Sequence, residues 1–273
     1  MQLFCPACGY PTEHRFLYAK NGCNILQCSQ CGLGRAEAKS FEPQHYYTGE
    51  YFSGGQADGY ADYRGAEPVL RREFARTVDF IRRRKSAGRL LEIGCAYGFF
   101  LEEARGYFKV AGIEISDDAA RHARKQGLHV LTGIAEEATL SRLGMMDVIV
   151  LLDVIEHLPA PHETLSICTQ HLNPGGIIVI TTGDFGSLPA RLVGAHWRLI
   201  TPPQHLWYFT GASLARLAQR LDLHLESCEH PWKVVPVSLI CHLLTCGPCI
   251  GHKNAVAGLG VLGLPCFCCC ALG

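Results

Sequence analysis

Short apolar runs alternate with segments of helical period from Gly65 to about Trp232. The pattern predicts a helix over 66–85 and a strand over Arg89–Ile93. A helix over 98–106, a strand over 109–114, a helix over 117–127 and a strand over 128–132 follow. A very apolar strand, 147–152, leads to a helix over 161–171 and a strand over 176–182. A helix near 210–220 and a strand near 222–229 close the series. Strands separated by helices imply βαβ units: a parallel sheet with helices on both faces. Three other zones flank this body. Residues 1–40 are rich in Cys, and 41–65 in Gly and aromatics (Phe41, Tyr46, Tyr47, Tyr51, Phe52, Tyr60, Tyr63) with few apolar periodicities, a linker or lid. Residues 233–273 form an apolar tail in which Lys253 is the only charged residue after Lys233.

Composition narrows the class. The chain has 273 residues, 48% of them apolar, enough for one large domain or a medium domain with an appendage. Twenty-five basic residues balance 25 acidic ones. The apolar composition excludes a disordered chain, and the charge balance argues against a protein built to hold a nucleic-acid backbone. The opening Met1-Gln2-Leu3-Phe4-Cys5 has neither the basic nor the apolar stretch of a secretory signal. An odd total of 15 Cys, the first ones in pairs, then reads as metal binding in a reducing, cytoplasmic setting.

Cys5-Pro6-Ala7-Cys8-Gly9 and Cys28-Ser29-Gln30-Cys31-Gly32 are two C-x2-C-G units. Cysteines three apart turn both sulfurs to one ion across a tight turn, and the following Gly permits that turn. Two such units give a closed tetrahedral thiolate site, so a structural Zn2+ on Cys5, Cys8, Cys28 and Cys31 is expected. Cys23 has no paired partner and is expected to be free. So small a head needs the metal for its own folding.

The strand Arg89–Ile93 runs into Glu92-Ile93-Gly94-Cys95-Ala96-Tyr97-Gly98. A glycine-rich turn from a buried strand into a helix presents bare backbone to a ligand. Ala96 and Phe99 occupy the second and third glycine positions of the dinucleotide fingerprint, so NAD is not expected. Glu114 ends the next strand, where a carboxylate accepts both hydroxyls of a ribose. Together they point to a nucleoside pocket. An alternative for Glu114 is an exposed strand-end acid, with Ser116 and Asp117 capping the next helix.

Asp153-Val154-Ile155-Glu156-His157-Leu158 and Leu172-Asn173-Pro174-Gly175-Gly176 follow in order. With E-x-G-x-x-x-G and Glu114, they resemble class I S-adenosylmethionine-dependent methyltransferases. The later Thr182-Gly183-Asp184, Trp197 and Pro202-Pro203-Gln204-His205-Leu206-Trp207-Tyr208-Phe209 are similar to a bacterial group with an N-terminal zinc ribbon that methylates small molecules, sugars among them. The resemblance covers residues 1 to about 232. It implies a doubly wound, Rossmann-like α/β fold with a seven-stranded, mostly parallel sheet. It implies domains at 1–40 (zinc ribbon), 41–65 (lid) and 66–232 (cofactor-binding body). Glu92, Gly94, Cys95 and Gly98 would lie around the methionine part of S-adenosylmethionine, Glu114 and Ile115 at its ribose, and Ala135, in Gly133-Ile134-Ala135-Glu136, at its adenine. Ile134 stands where an Asp is commonest. Asp153 and His157 would lie between cofactor and acceptor.

The sulfonium already activates the methyl group, so alignment is the protein's main task. A hydroxyl acceptor also needs a base, and His157 and His205 are the candidates. Trp197, Trp207 and Tyr208 line the acceptor or form plain core. Arg71, Arg72, Arg76, Arg82, Arg83, Arg84 and Lys85 on one helix raise a second reading, an rRNA or tRNA methyltransferase. A third is a non-catalytic, cofactor-binding interaction protein. The neutral total charge and the lack of aromatic–basic interleaving make nucleic acid an unexpected partner. In the tail, Cys246-Gly247-Pro248-Cys249 spells a redox motif without its βαβ context. Ala255–Gly273 approaches the ~20 residues of a membrane span, though Gly258, Gly260, Gly263 and Pro265 suit a helix poorly. An altered last strand, a membrane-touching end and a shifted reading frame all remain open for it.

Overall fold

The computed structural model describes residues 1–38, 41–53, 62–229 and 267–273. Strands β1 (Gln2–Cys5), β2 (Tyr10–Lys20), β3 (Cys23–Cys28) and β4 (Gly34–Ala36) form an antiparallel head. The β2–β3 hairpin turns on Asn21-Gly22, with φ +49° and +74°. This two-residue loop matches the twist of the strands it joins. Two short helices follow, α1 (Pro43–Tyr46) and α2 (Gly49–Ser53), in the stretch that shows little periodicity in sequence.

The body begins with α3 (Glu67–Arg82) and β5 (Arg89–Ile93). Then come α4 (Phe99–Ala104), β6 (Lys109–Glu114), α5 (Asp117–Lys125), β7 (Val130–Thr132), α6 (Glu137–Leu143) and β8 (Met146–Leu152). A single 3-10 turn, Ile155–His157, precedes α7 (Pro161–Gln170), β9 (Leu172–Gly183) and α8 (Leu188–Val193). The series ends with β10 (Trp207–Tyr208), α9 (Gly211–Arg220), β11 (Leu225–Glu229) and β12 (Phe267–Leu272).

Seven strands form one sheet in the order β11-β12-β9-β8-β5-β6-β7, parallel from β9 to β7. Alternation along each strand feeds two cores. Leu90, Val148, Val150 and Val179 pack against α3, α4 and α5, while Leu91, Ile93, Ile149 and Ile180 pack against α6, α7 and α9. Burying such a side chain contributes about 1.5–3 kcal/mol. The expected α/β class and sheet type are therefore present.

The tail resolves one open question. Phe267–Leu272 is a strand, inserted antiparallel between β9 and β11, and so completes the sheet. Cys246 and Cys249 lie outside the described residues. No helix among the described residues is long and apolar enough to cross a membrane.

The head joins the body through the backbone. β10 pairs with β4, Trp207 opposite Arg35 and Tyr208 opposite Gly34, giving the head's sheet a fifth strand. The Ala36 N–H also donates to the Leu206 carbonyl at 2.9 Å. Trp207, Phe209, Leu214 and Leu217 share one core with Cys5, Cys8, Cys28 and Cys31.

Candidate active site

The candidate residues form two walls beyond the carboxyl ends of β5, β6 and β8. On the first, Gly94 (φ +73°), Ala96 (φ +46°) and Gly98 (φ +84°) make the turn out of β5. Packing, more than ligand clearance, requires the two glycines. A Cβ on Gly94 would stand 2.6 Å from Val154 Cγ2, and one on Gly98 2.4 Å from Leu128 Cδ1. Ala96 holds a left-handed conformation that an L side chain rarely adopts, which costs of order 1–3 kcal/mol.

What holds Ala96 there is Glu114, which is buried. Its carboxylate accepts the Ala96 N–H at 2.7 Å and the Ser116 N–H at 2.8 Å. The exposed-acid alternative for Glu114 is thereby removed, and Ser116 makes no side-chain cap. Burial raises the Glu114 pKa while these N–H groups pull against it. Glu92 is buried too, and its Oε2 has no hydrogen-bond partner. Burial, then the neighbouring Glu114, pushes its pKa well up. Cys95 points its thiol into the core against Gly112, so only its backbone is left to face a ligand. Ile115 is half-buried beside Glu114. Gly133 (φ +141°) has open space on its Cβ side, and half-buried Ala135 packs at the edge of the core.

The second wall is built from segments far apart in sequence. Asp153 stands at the tip of β8 with φ +54°. Thr181 locks it, donating its hydroxyl to Asp153 Oδ1 at 2.9 Å and accepting the Asp153 N–H at 3.0 Å. His157 Nδ1 lies 2.9 Å from the Gln204 carbonyl and 2.8 Å from the Tyr47 hydroxyl. His205 Nδ1 lies 2.8 Å from the Leu199 carbonyl, and the two imidazoles meet edge-on with centroids 4.7 Å apart. Carbonyls only accept, so each Nδ1 carries the proton and each Nε2 the lone pair. Burial drops the His157 pKa to about 4; burial, and then His157, drops that of His205 to about 3. Both rings are therefore neutral at pH 7, and weak as bases.

The stretch before the body packs over both walls. Tyr51 and Phe52 of α2, with Tyr63, pack on Ala96, Tyr97 and Phe99, and Gln204 Nε2 donates to the Tyr51 hydroxyl at 2.8 Å. Tyr47 and Tyr51 of the aromatic-rich stretch, and Gln204 of the Pro202–Phe209 motif, thus join the candidate site, though no sequence rule gives them individual roles. Trp197 and Trp207 are core: Trp197 packs with Phe185 and Tyr208, and Trp207 Nε1 donates to the Leu158 carbonyl.

The Arg-rich helix is largely neutralised. Arg71 pairs with Glu67, Glu102 and Glu103, Arg82 with Asp79, and Arg83 with Glu229. It presents no clear basic face to a phosphate backbone.

In the head, four thiols offer ligand atoms within 4.8 Å of one another. Sγ of Cys5 and Cys31 are 3.6 Å apart, those of Cys8 and Cys28 3.9 Å. Tetrahedral Zn2+ with bonds of about 2.3 Å needs sulfurs about 3.8 Å apart, so the four side chains fit that ion. Thr12 Oγ1 lies 3.1 Å from Cys28 Sγ, an outer contact that orients the ligand. Cys23 is buried and outside this group.

Residues 65–227 match a methyltransferase-domain family. A ubiquinone biosynthesis O-methyltransferase of Caulobacter sp. (strain K31) is 34% identical over 130 residues, 44% of this chain and 52% of that protein. One from Xylella fastidiosa (strain 9a5c) is 26% identical over 196 residues, 64% of this chain and 79% of that protein. The chain spans about half the length of the first of these relatives. Among solved structures, a SAM-dependent methyltransferase from Archaeoglobus fulgidus aligns with TM-score 0.55 and 20% identity over 77% of this chain and 98% of that one. At this identity the likeness speaks for the fold alone.

Proposed function

Since the chain belongs to the methyltransferase-domain family, we propose that it transfers the methyl group of S-adenosylmethionine to a small-molecule acceptor. The observation that carries this reading is the Glu114 carboxylate, which ties down the Gly94–Gly98 turn and keeps lone pairs for a ribose. The unpartnered Glu92 Oε2 supplies a second buried acceptor beside the same turn. Glu92, Gly94, Gly98 and the Cys95 backbone would hold the methionine part, Glu114 and Ile115 the ribose, and Ala135 the adenine side. When bound, the cofactor supplies an electrophilic methyl on a sulfonium.

The protein's own share is alignment and exclusion of water. Asp153, fixed by Thr181, borders both halves of the crevice. The Nε2 lone pairs of His157 and His205 accept the hydrogen of a hydroxyl acceptor. The aromatic cover of Tyr47, Tyr51 and Tyr63 shields the sulfonium from solvent. In this reading the four head thiolates hold a structural Zn2+ with no open position for substrate.

Calorimetry with S-adenosylmethionine and with NAD tests the cofactor; tight NAD binding and none of S-adenosylmethionine would overturn the reading. A mass-spectrometric screen for a 14 Da gain in small molecules, run with isotope-labelled cofactor, then identifies the acceptor.

A further inference from the structure

We propose that Cys228 and Cys270 form a dithiol site that reacts with small disulfides and closes to a bond pinning the last strand into the sheet. The two lie directly opposite each other on neighbouring antiparallel strands, β11 and β12. Residues so placed have Cβ atoms about 4.5–5.5 Å apart, and a disulfide needs about 3.5–4.5 Å. The sulfurs already face each other, Sγ to Sγ at 3.1 Å, so about 1 Å of closure reaches the length of the bond. In the head, four sulfurs converge on one point, as a metal cage requires. Here two meet across a strand ladder, on the side of the sheet that packs against α9.

Exposure sets the order of events, because Cys228 is half-buried and Cys270 buried. Cys228 gives up its proton, and the thiolate attacks one sulfur of an incoming disulfide such as oxidised glutathione. A mixed disulfide forms, and the departing thiolate takes up a proton. Cys270 then loses its proton to water, and its sulfur attacks Cys228 Sγ, expelling the second thiolate, which is protonated in turn. Two protein thiols are oxidised to one disulfide, and one small disulfide is reduced to two thiols. Cys270 is already in place beside its target, so the second step is intramolecular and outruns attack by a thiol from solution.

The bond would act on the seam that holds the tail. β12 inserts between β9 and β11, and its Cys269 stands opposite Thr181, the residue that locks Asp153. Linking Cys228 to Cys270 closes a loop over residues 229–269 and restricts the chain when β12 detaches, which favours the inserted strand. This inference does not depend on the methyl-transfer reading.

The test uses the full chain in buffers spanning ratios of reduced to oxidised glutathione. Peptide mapping should find Cys228 linked to Cys270, the pair lighter by about 2 Da than the two reduced peptides together. Hydrogen exchange over residues 267–272 should slow by about tenfold or more in the oxidised form. Cys228→Ser should abolish both the link and the slower exchange; the mapping itself is read on the unmodified protein and does not depend on the variant folding. No link at any ratio, a link from either residue to another cysteine, or glutathione that stays on Cys228 overturns the site. A Cys228–Cys270 link with unchanged exchange overturns the pinning of the strand.

Discussion

The two walls of the crevice are made in opposite ways. The wall we assign to the cofactor is local: Glu92, Gly94, Ala96, Gly98 and Glu114 fall on one β5-turn-α4-β6 unit, fixed mostly by backbone geometry. The wall we assign to the acceptor is convergent. Tyr47, Asp153, His157, Gln204 and His205 come from three segments, and the head grips the loop that aims both imidazoles. Backbone geometry that recognises one invariant ligand can be written in a short stretch. Side chains that recognise a variable ligand are brought together only by tertiary packing, so that wall can change without disturbing the other.

The largest effect expected from this contrast comes from the head. In the proposed reading the four thiolates hold Zn2+, so chelation, or Cys5→Ser with Cys28→Ser, should unfold the head; metal binding supplies about 10–16 kcal/mol in small zinc modules. Through β4 and β10 the acceptor wall should go with it. Turnover and the environment of Trp207 should change, while calorimetry should show cofactor affinity within about threefold of the original, the wall-to-wall independence usual for separated sites. Loss of both together would break the comparison. Gly98→Val strikes the other wall. A left-handed valine costs about 1–2 kcal/mol and overpacking against Leu128 about 1–3, read as a lower urea midpoint with cofactor binding lost.

Glu114→Gln should weaken the cofactor by about 1.5–3 kcal/mol, the worth of a hydrogen bond to a charged group. The pH sign follows from its raised pKa. The carboxylate form accepts from ribose, so affinity should fall as pH drops through that pKa, and the Gln variant should lose this dependence. In the unliganded protein the raised pKa works the other way: stability should decline as pH rises from the ordinary carboxylate value through the raised one. Tyr47→Phe should be the mildest, about 0.5–1.5 kcal/mol for one neutral hydrogen bond, appearing in acceptor KM and turnover and leaving cofactor affinity alone.

Legibility in the sequence follows the same division. β5 lies where its apolar run begins and ends, and α9 and β8 within a residue of their patterns. The paired C-x2-C-G units, the glycine-rich turn after β5 and the strand-end Glu114 are visible because each is a local rule. Leu172–Gly175 joined β9 against the signal of Pro174 and Gly175, since Met146 pairs with Leu172 across an irregular register. α6 went unseen: a seven-residue helix buries little beyond Thr139, Leu140 and Leu143. The positive φ of Ala96 and Asp153 leaves no trace in residue type, because the neighbours Glu114 and Thr181 impose it. β10, two residues long, exists only because β4 lies beside it.

That last pairing also sets an order of events during synthesis. The head leaves the ribosome first, yet its fifth strand is made roughly 170 residues later, a wait of about ten to thirty seconds at about 5–20 residues per second. Over that interval the nascent head has β4 as an open edge with unpaired backbone groups, ready to pair with another chain. Early metal capture by Cys5, Cys8, Cys28 and Cys31 would keep that edge short and rigid until Trp207 and Tyr208 arrive. Expression in zinc-poor medium should then lower the yield of folded protein through aggregation of unfinished chains.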